Sequence, residues 1–221
     1  MKALIAGGGI GGMTMALRLH HAGIDVEVFE SVVEIRELGV GINLLPHATR
    51  ELTELGLLED LAATAIETRA LSYHTQYGHH IITEPRGLAA GYKWPQFSIN
   101  RGSLLMILAE AARDRIGAER VHAGHHLDAF SQDADGVTAH FVHPQNGEAV
   151  AECRGDLLIG ADGIHSRVRE ILHPGEGLPN FSGITMLRGV PEQEPFFDGR
   201  TMIVAGTWNE RMVVYPISEV A

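Results

Sequence analysis

Cysteine is almost absent from this chain of 221 residues, which contains Cys153 and no other. One cysteine cannot form an internal disulfide, and no Cys-x-x-Cys pair is present to suggest a zinc ribbon or a redox dithiol. The class of disulfide-stabilised secreted domains is therefore excluded. We expect the protein in a reducing cytoplasm.

Basic residues are also scarce, since 17 Lys and Arg stand against 28 Asp and Glu and give a formal net charge of -11. A field of that sign repels phosphate backbones and acidic lipid, so we expect neither nucleic acid nor a membrane as partner. Uninterrupted apolar runs of the ~18 to 20 residues that a membrane span needs are missing too. With 45% hydrophobic residues, the composition is that of an ordinary globular protein.

The first 30 residues carry the pattern of a strand, a glycine turn, a helix and a second strand. The apolar run Ala3-Leu4-Ile5-Ala6 ends in glycines, and apolar residues at helical spacing follow it up to Leu17. A second strand pattern then ends at Glu30. This order is typical of a nucleotide-binding α/β unit.

The glycine turn satisfies the spacing Gly-x-Gly-x-x-Gly through Gly7, Gly9 and Gly12. In such a turn the first glycine permits a tight bend, the second lets the backbone approach a pyrophosphate, and the third lets the helix pack on the strand. Glu30 stands near the ~20-residue spacing expected of a carboxylate that binds ribose hydroxyls. The predicted dinucleotide-binding set is completed by three neighbours, Ile10, Gly11 and Ser31. The spacing by itself does not distinguish NAD from FAD.

The remainder of the chain alternates between helix and strand patterns. The segments expected are a helix over 46–55, antiparallel strands over 70–98, a helix from about 104 to 112 with Asn100 as cap, strands over 121–126, 137–143 and 149–154, a buried strand over 156–160, and a short helix from Ser166. After residue 174 strand patterns return, over 201–204 and 212–215.

A more specific motif follows the buried strand. The sequence Gly160-Ala161-Asp162-Gly163-Ile164-His165-Ser166-Arg167-Val168-Arg169 resembles the Asp-Gly motif of flavin-dependent aromatic hydroxylases of the para-hydroxybenzoate hydroxylase type. The resemblance implies that Asp162 and Gly163 contact FAD. It also implies a Rossmann-like FAD-binding domain of the glutathione reductase type, formed by residues 1–70 and 98–178, and an antiparallel β-sheet substrate domain, formed by residues 71–97 and 179–221.

Four further positions extend the resemblance. Arg101, in Asn100-Arg101-Gly102-Ser103, stands where the family places an arginine beside the flavin ribityl and phosphate groups. Gly41 and Ile42 stand in the loop beside the isoalloxazine ring, and Leu127 stands where a backbone contact to the adenine side is usual. The segments around Gly39–Asn43 and Pro95–Gly102 look most like those of phenazine-modifying monooxygenases.

The resemblance implies a monooxygenase that hydroxylates a small aromatic, phenazine-like substrate through a flavin C4a-hydroperoxide, with NADPH or NADH as co-substrate. The family's later Gly-Asp motif and the helix after it are not found in these 221 residues, so both domains are expected to be incomplete at their carboxyl ends. A homodimer is one option for the assembly. No catalytic side chain is nominated, because the flavin carries the chemistry.

Alternative functions stay open on the residues alone. They are an FAD-binding module without turnover, another flavoprotein oxidoreductase such as a halogenase or flavin reductase, and a plain NAD dehydrogenase. Tyr73, His74, Trp94 and Tyr215 are candidate pocket residues, although ordinary packing in a sheet explains each of them equally well. No metal is expected, because the histidines at 122, 125 and 126 lack a carboxylate or thiol at a supporting interval.

Overall fold

The computed structural model describes residues 1–219, which form four β-sheets and five α-helices. The strands, in chain order, are β1 (Lys2–Ala6), β2 (Asp25–Glu30), β3 (Gly41–Leu44), β4 (Ile66–Thr68), β5 (Ala70–His74), β6 (His80–Pro85), β7 (Gln96–Asn100), β8 (Val121–Ala123), β9 (His126–Asp133), β10 (Gly136–Val142), β11 (Ala149–Gly155), β12 (Leu157–Gly160), β13 (Thr201–Gly206) and β14 (Arg211–Val214). The helices are α1 (Ile10–His21), α2 (Pro46–Glu54), α3 (Leu58–Thr64), α4 (Arg101–Ile116) and α5 (Arg167–Leu172).

By their contacts the residues divide into two compact units. The first unit contains residues 1–36 and 105–186, and the second contains residues 37–104 and 187–221. This division differs from the predicted functional domains, because the segments 37–70 and 98–104 pack with the second unit. The functional boundaries, 1–70 with 98–178 and 71–97 with 179–221, stay a prediction.

The first unit holds a parallel sheet in the order β12-β1-β2-β8 and an antiparallel sheet in the order β11-β10-β9. The predicted α/β pattern of strand, glycine turn, helix and strand is confirmed. Phe29 of β2 and Phe141 of β10 stack with ring centroids 4.0 Å apart in the apolar core. Because β1, β2, β8 and β12 are parallel, their carboxyl ends meet at one edge of the sheet.

The strand predicted over 121–126 is wrong as a single element. Gly124 adopts a φ of +72° and ends the run, so β8 joins the parallel sheet while β9 begins at His126 in the antiparallel one. The residues on either side of Gly124 are similarly apolar, so the hydrophobic periodicity of the sequence does not mark the break between the two strands. The positive φ at this glycine is the physical cause of the change of sheet.

The second unit holds an antiparallel sheet, β3-β7-β4, and a mixed sheet, β14-β13-β5-β6. The predicted antiparallel pairing is found between β5 and β6 and between β13 and β14, whereas β5 and β13 run parallel. Ile99 of β7 is fully buried, and it shares the sheet with a buried hydrogen bond of 2.7 Å between the hydroxyls of Thr68 and Ser98. The helix predicted after Asn100 is α4, and the Asn100 Oδ1 accepts a hydrogen bond from Gly102 N at 2.7 Å.

Candidate functional site

The glycine turn after β1 is held tightly against the neighbouring strand ends. Gly7 has a φ of +108°, and a Cβ added there would lie 2.4 Å from the Ala161 carbonyl oxygen. A Cβ on Gly12 would lie 1.9 Å from the Gly7 carbonyl oxygen. These two glycines are therefore required by packing: one lets the loop after β12 approach, and the other lets α1 approach the turn.

Two of the three glycines between them, Gly9 and Gly11, have different surroundings. A Cβ on Gly9 or on Gly11 would meet no heavy atom within 4 Å. Gly9 is the N-cap of α1 and lends no side chain to the helix, so the first N–H groups of α1 are offered to whatever fills that space. A helix N-terminus with this geometry favours an anionic group such as a diphosphate.

Glu30, at the end of β2, orders the turn. Its Oε2 accepts a hydrogen bond from Gly8 N at 2.6 Å, and its Oε1 accepts one from Val32 N at 2.9 Å. Each carboxylate oxygen has a second lone pair, so both contacts leave room for hydroxyl donors from a ligand. The predicted ribose-binding carboxylate thus lies beside the glycine turn.

Asp162 lies at the same edge, after β12. Its Oδ2 accepts hydrogen bonds from Arg167 N at 2.7 Å and Val168 N at 3.2 Å, which caps the start of α5. Its Oδ1 is buried and has no hydrogen-bond partner in the part of the chain that the structure describes. Burying a carboxylate oxygen without a hydrogen-bond donor costs free energy. Asp162 Oδ1 is therefore suited to accept a hydrogen bond from a bound molecule.

A cleft at this edge collects residues from all four strand ends. Gly7, Ser31, Leu127 and Asp162 of the predicted set line it. The Ser31 hydroxyl also lies 3.1 Å from Nδ1 of His126. Gly163 follows Asp162 with a φ of +81° and open space at its Cβ position.

Three residues that line this cleft, His125, His126 and His165, are not among the predicted dinucleotide-binding residues. From the sequence, His125 and His126 are considered only as metal ligands. Among residues 1–219 no group of three metal-binding side chains is close enough to hold an ion. The available signal was the position of β8, whose carboxyl end must lie at the same edge as those of β1 and β2.

The other predicted contacts, Gly41, Ile42 and Arg101, lie in the second unit. Gly41 and Ile42 pair with Asn100 and Ile99 across β3 and β7. The Arg101 backbone N–H donates to the Val40 carbonyl at 2.9 Å. Its exposed side chain forms no ion pair with any described residue, which leaves its charge available to an anion.

Gly41, which the resemblance places in the loop beside the flavin ring, is packed closely by side chains of the second unit. A Cβ on Gly41 would lie 2.6 Å from Cε2 of Tyr215 and 2.8 Å from the Ile217 side chain. The absence of a side chain at this position is thus already required by packing within the second unit. Tyr215, a candidate pocket residue, is the group packed against Gly41.

The features of the first unit fit a flavin dinucleotide. The open glycines and helix start suit a diphosphate, Glu30 suits a ribose, and Asp162 Oδ1 lacks a donor. Residues 1–195 match the family model described as FAD binding domain.

Named relatives share this likeness over nearly the whole chain. Phenazine 1,6-dicarboxylic acid hydroxylase of Lysobacter antibioticus is 48% identical over 97% of this chain and 53% of its own length. The 3-amino-4-hydroxybenzoate 2-monooxygenase of Streptomyces cremeus is 31% identical over 99% of this chain and 54% of its own length.

The solved structure of Klebsiella pneumoniae HpxO, complexed with FAD and uric acid, is similar with a TM-score of 0.71 and 27% identity, over 98% of this chain and 53% of that protein. The chain therefore spans about half the length of the relatives it matches.

Proposed function

The chain belongs to the FAD binding domain family, and from this membership we propose that it is part of a flavin-dependent monooxygenase that hydroxylates a small aromatic compound at the expense of NADH or NADPH. The observation that carries the proposal is the contrast between packed and open glycines in the turn after β1. Gly7 and Gly12 have no room for a side chain, whereas Gly9 and Gly11 adjoin open space at the start of α1.

In this function the chain's own residues bind and orient the dinucleotide. The N–H groups of Ile10, Gly11 and Gly12 donate to the diphosphate, and the dipole of α1 favours its charge. Glu30 accepts from ribose hydroxyls while it holds Gly8 in place. FAD, when bound, supplies hydride acceptance and oxygen activation, which amino-acid side chains cannot provide.

The remaining predicted residues take supporting roles. Ser31 and Leu127 contact the adenosine end, Asp162 Oδ1 accepts a hydrogen bond from the cofactor or from a water on it, and Gly163 gives close backbone approach. Gly41 and Ile42 are assigned to the flavin ring and Arg101 to the phosphate and ribityl groups. The charge of Arg101, which forms no ion pair within residues 1–219, supports that assignment.

The substrate class is a small aromatic compound with a phenazine-like ring system. Its support is the 48% identity to a hydroxylase named for phenazine 1,6-dicarboxylic acid. We assign no catalytic side chain. Fold alone does not define a substrate, so the assignment depends on a direct assay with phenazine carboxylic acids against 3-hydroxybenzoate as comparison compound.

Location and assembly belong to the proposal as well. We assign the protein to the cytoplasm on its cysteine content, and a homodimer is the assembly to test by light scattering after gel filtration. No helix in residues 1–219 is both long and apolar enough to cross a membrane.

A second candidate is an FAD-binding module without turnover. Every contact assigned in the first unit serves dinucleotide binding and no catalytic side chain is assigned, which favours this candidate. It predicts that the chain of 221 residues binds FAD but consumes no NADPH with any aromatic compound, and that the longer protein behaves in the same way.

The deciding experiment is an FAD titration of the desalted chain, followed by absorbance and flavin fluorescence, with Gly9→Ala as the matched variant. We expect saturable binding that the variant weakens. NAD(P)H oxidation is then measured with and without aromatic compounds, in the chain and in the longer protein. A folded chain that binds no FAD would contradict the assigned site, whereas FAD binding without stimulated oxidation in the longer protein would support the second candidate.

A further inference from the structure

Four polar side chains lie along one face of the β5–β6 hairpin, in the second unit. Ser72 and His74 are two residues apart on β5 and therefore point to the same face. The strand register pairs Ser72 with Thr83 and His74 with His80 on β6. The hairpin thus brings together two hydroxyls and two imidazoles, none of which is assigned to the dinucleotide.

These side chains form one continuous hydrogen-bonded chain. His80 Nε2 lies 2.9 Å from the Thr83 hydroxyl, which lies 3.0 Å from the Ser72 hydroxyl, which lies 2.9 Å from His74 Nε2. At the far end, His74 Nδ1 lies 3.2 Å from the Gly78 carbonyl oxygen. His80 is exposed, Ser72 is 4% exposed and His74 is half-buried, so the hydrogen-bonded path runs from solvent through the buried Ser72 to His74.

The Gly78 carbonyl fixes the direction of every bond in this chain. A carbonyl oxygen only accepts, so neutral His74 carries its proton on Nδ1 and its Nε2 is an acceptor. Ser72 must then donate to His74, Thr83 must donate to Ser72, and His80 must donate from Nε2 to Thr83. Each hydroxyl has a single proton, so no alternative arrangement satisfies all four contacts.

We propose that this chain is a proton relay that charges His74 from solvent through His80. A proton binds to Nδ1 of His80, and the Nε2 proton of His80 passes to Thr83. The Thr83 proton passes to Ser72, and the Ser72 proton passes to His74 Nε2. Three N–H or O–H bonds break and four form, the fourth being the Nδ1–H bond that His80 makes to the proton taken from solvent. His80 ends neutral with its proton on Nδ1, and the positive charge resides on His74.

The charged form of His74 is well accommodated by its contacts. Its Nε2–H donates to Ser72 and its Nδ1–H donates to Gly78, so both protons of the imidazolium have acceptors.

The elements around His74 contribute few other charges. Besides its hydrogen bonds to Ser72 and Gly78, the ring of His74 lies against the rings of His80 and Phe197, with ring centroids 5.5 and 6.2 Å away. The parallel neighbour β13 places Ile203 and Ala205 opposite Ser72 and His74.

The titratable residues next to the four hydrogen-bonded side chains lie on the other face of the hairpin or form ion pairs of their own. Tyr73 lies on the opposite face by strand alternation. Glu84, adjacent to Thr83 on β6, forms an ion pair with Arg86 at 2.7 Å. The nearest titratable partner of His74 is therefore His80.

Long-range hydrogen–nitrogen NMR of the full chain labelled with ¹⁵N-histidine tests the relay, because it distinguishes Nδ1–H from Nε2–H. We expect neutral His74 as Nδ1–H and neutral His80 as Nε2–H at high pH. As His74 becomes charged on acidification, the neutral form of His80 should switch to Nδ1–H. Such a switch requires the intervening hydroxyls, because the two nitrogens share no direct hydrogen bond.

Thr83→Val removes one hydroxyl and should abolish the switch, although Thr83 does not contact His74. Thr83→Ser, its matched control, keeps the hydroxyl and should retain the switch. Thr83 is exposed and valine suits a strand, so both variants should fold. The relay is wrong if wild-type His80 stays Nε2–H while His74 becomes charged, or if the valine and serine variants titrate alike. The wild-type result decides even if a variant is unstable.

Discussion

Glycines shape both the turn after β1, in the first unit, and the segment that leads into β3, in the second. In the turn after β1, a Cβ on Gly7 or Gly12 would strike backbone, one on Gly8 would strike the Glu30 side chain, and one on Gly9 or Gly11 would meet open space. In the second unit the position of the missing Gly41 side chain is filled by Tyr215 and Ile217. The first region therefore has glycines beyond those that its own packing requires, whereas Gly41 is accounted for by its packing.

This difference separates glycines that packing within the protein requires from glycines that this packing leaves unexplained. A residue whose Cβ would strike backbone is explained without any bound molecule. A residue whose Cβ would meet nothing has no such explanation inside the chain, and Gly9 and Gly11 are of this kind. The comparison predicts opposite outcomes for neighbouring substitutions in one turn.

The largest effect is expected for Gly12→Ala. The added methyl would lie 1.9 Å from the Gly7 carbonyl oxygen, and because backbone cannot move aside cheaply, α1 must shift away from β1. We expect a loss of about 3 kcal/mol in the free energy of unfolding, at the upper end for overpacking. Urea denaturation followed by far-UV circular dichroism measures it.

Gly11→Ala is the control for that variant, one residue earlier in the same helix. Its Cβ has open space, and alanine in a helix gains up to about 1 kcal/mol over glycine. We expect stability equal to or above that of the wild type. Equal destabilisation by both variants would show that the distinction between packed and open glycines does not hold.

The second effect concerns affinity rather than stability. Gly9→Ala places a methyl in the open space at the start of α1, where the proposed diphosphate binds. The fold should be unchanged, while the dissociation constant for FAD should rise about tenfold or more, equivalent to about 1.4 kcal/mol. Fluorescence titration measures it, and unchanged FAD affinity in the folded variant would place the diphosphate elsewhere.

The third effect tests the second region. Gly41→Ala brings a methyl within 2.6 Å of the Tyr215 ring, which can move more readily than backbone, so we expect a smaller loss of about 1 to 2 kcal/mol. In a Tyr215→Leu background the loss should shrink, and a double-mutant cycle gives the coupling. A cycle without coupling would mean that Tyr215 is not what excludes a side chain at position 41.

Much of the first unit follows from local pattern. The apolar run of β1, the helical spacing of α1 and the end of β2 at Glu30 place the glycine turn correctly, because local periodicity and parallel pairing agree there. The cap of α5 follows from Ser166, whose hydroxyl accepts from Arg169 N at 3.0 Å. Asp162 was placed by family resemblance, and its unpartnered Oδ1 could be found only in three dimensions.

Long-range contacts account for what the sequence did not predict. The break at Gly124 arises because the residues before it pair in one sheet and those after it pair in another. The hydrophobic periodicity of the sequence does not mark it. The packing of Tyr215 on Gly41 joins residues 174 positions apart. The hydroxyl chain between His80 and His74 depends on the register of β5 with β6, including its irregularity between Tyr73 and His74.

The smallest effects concern the pH dependence of stability. We expect the first unit to be destabilised at low pH and the second unit at high pH. Burial of Glu27 on β2 would by itself raise the pKa of its carboxyl, but hydrogen bonds and charges from Lys2 and His122 outweigh burial and hold that pKa below its usual value. In the second unit, burial raises the pKa of the Tyr215 phenol, although the Arg188 charge acts against it. One region thus holds a carboxylate favoured as an ion, and the other a phenol favoured as neutral.

The direction in which stability changes with pH follows from the difference between the folded and unfolded pKa of each group. A carboxyl whose pKa is lowered by folding contributes stability that is present above its ordinary value, 4.5, and is lost as pH falls through the lowered pKa. A phenol whose pKa is raised contributes stability that is present below its ordinary value, 10.0, and is lost as pH rises through the raised pKa. The first unit should therefore weaken in acid and the second in alkali.

Fluorescence can distinguish the units, because both tryptophans, Trp94 and Trp208, belong to the second, whereas far-UV circular dichroism reports both. Below pH 4.5, Glu27→Gln should reduce the acid dependence of the dichroism transition by about 1 kcal/mol or less and leave the fluorescence transition unchanged. Tyr215→Phe should remove alkaline dependence from the fluorescence transition alone. If Glu27→Gln altered fluorescence, or Tyr215→Phe left the alkaline transition as it was, the two regions would not respond to pH through these groups.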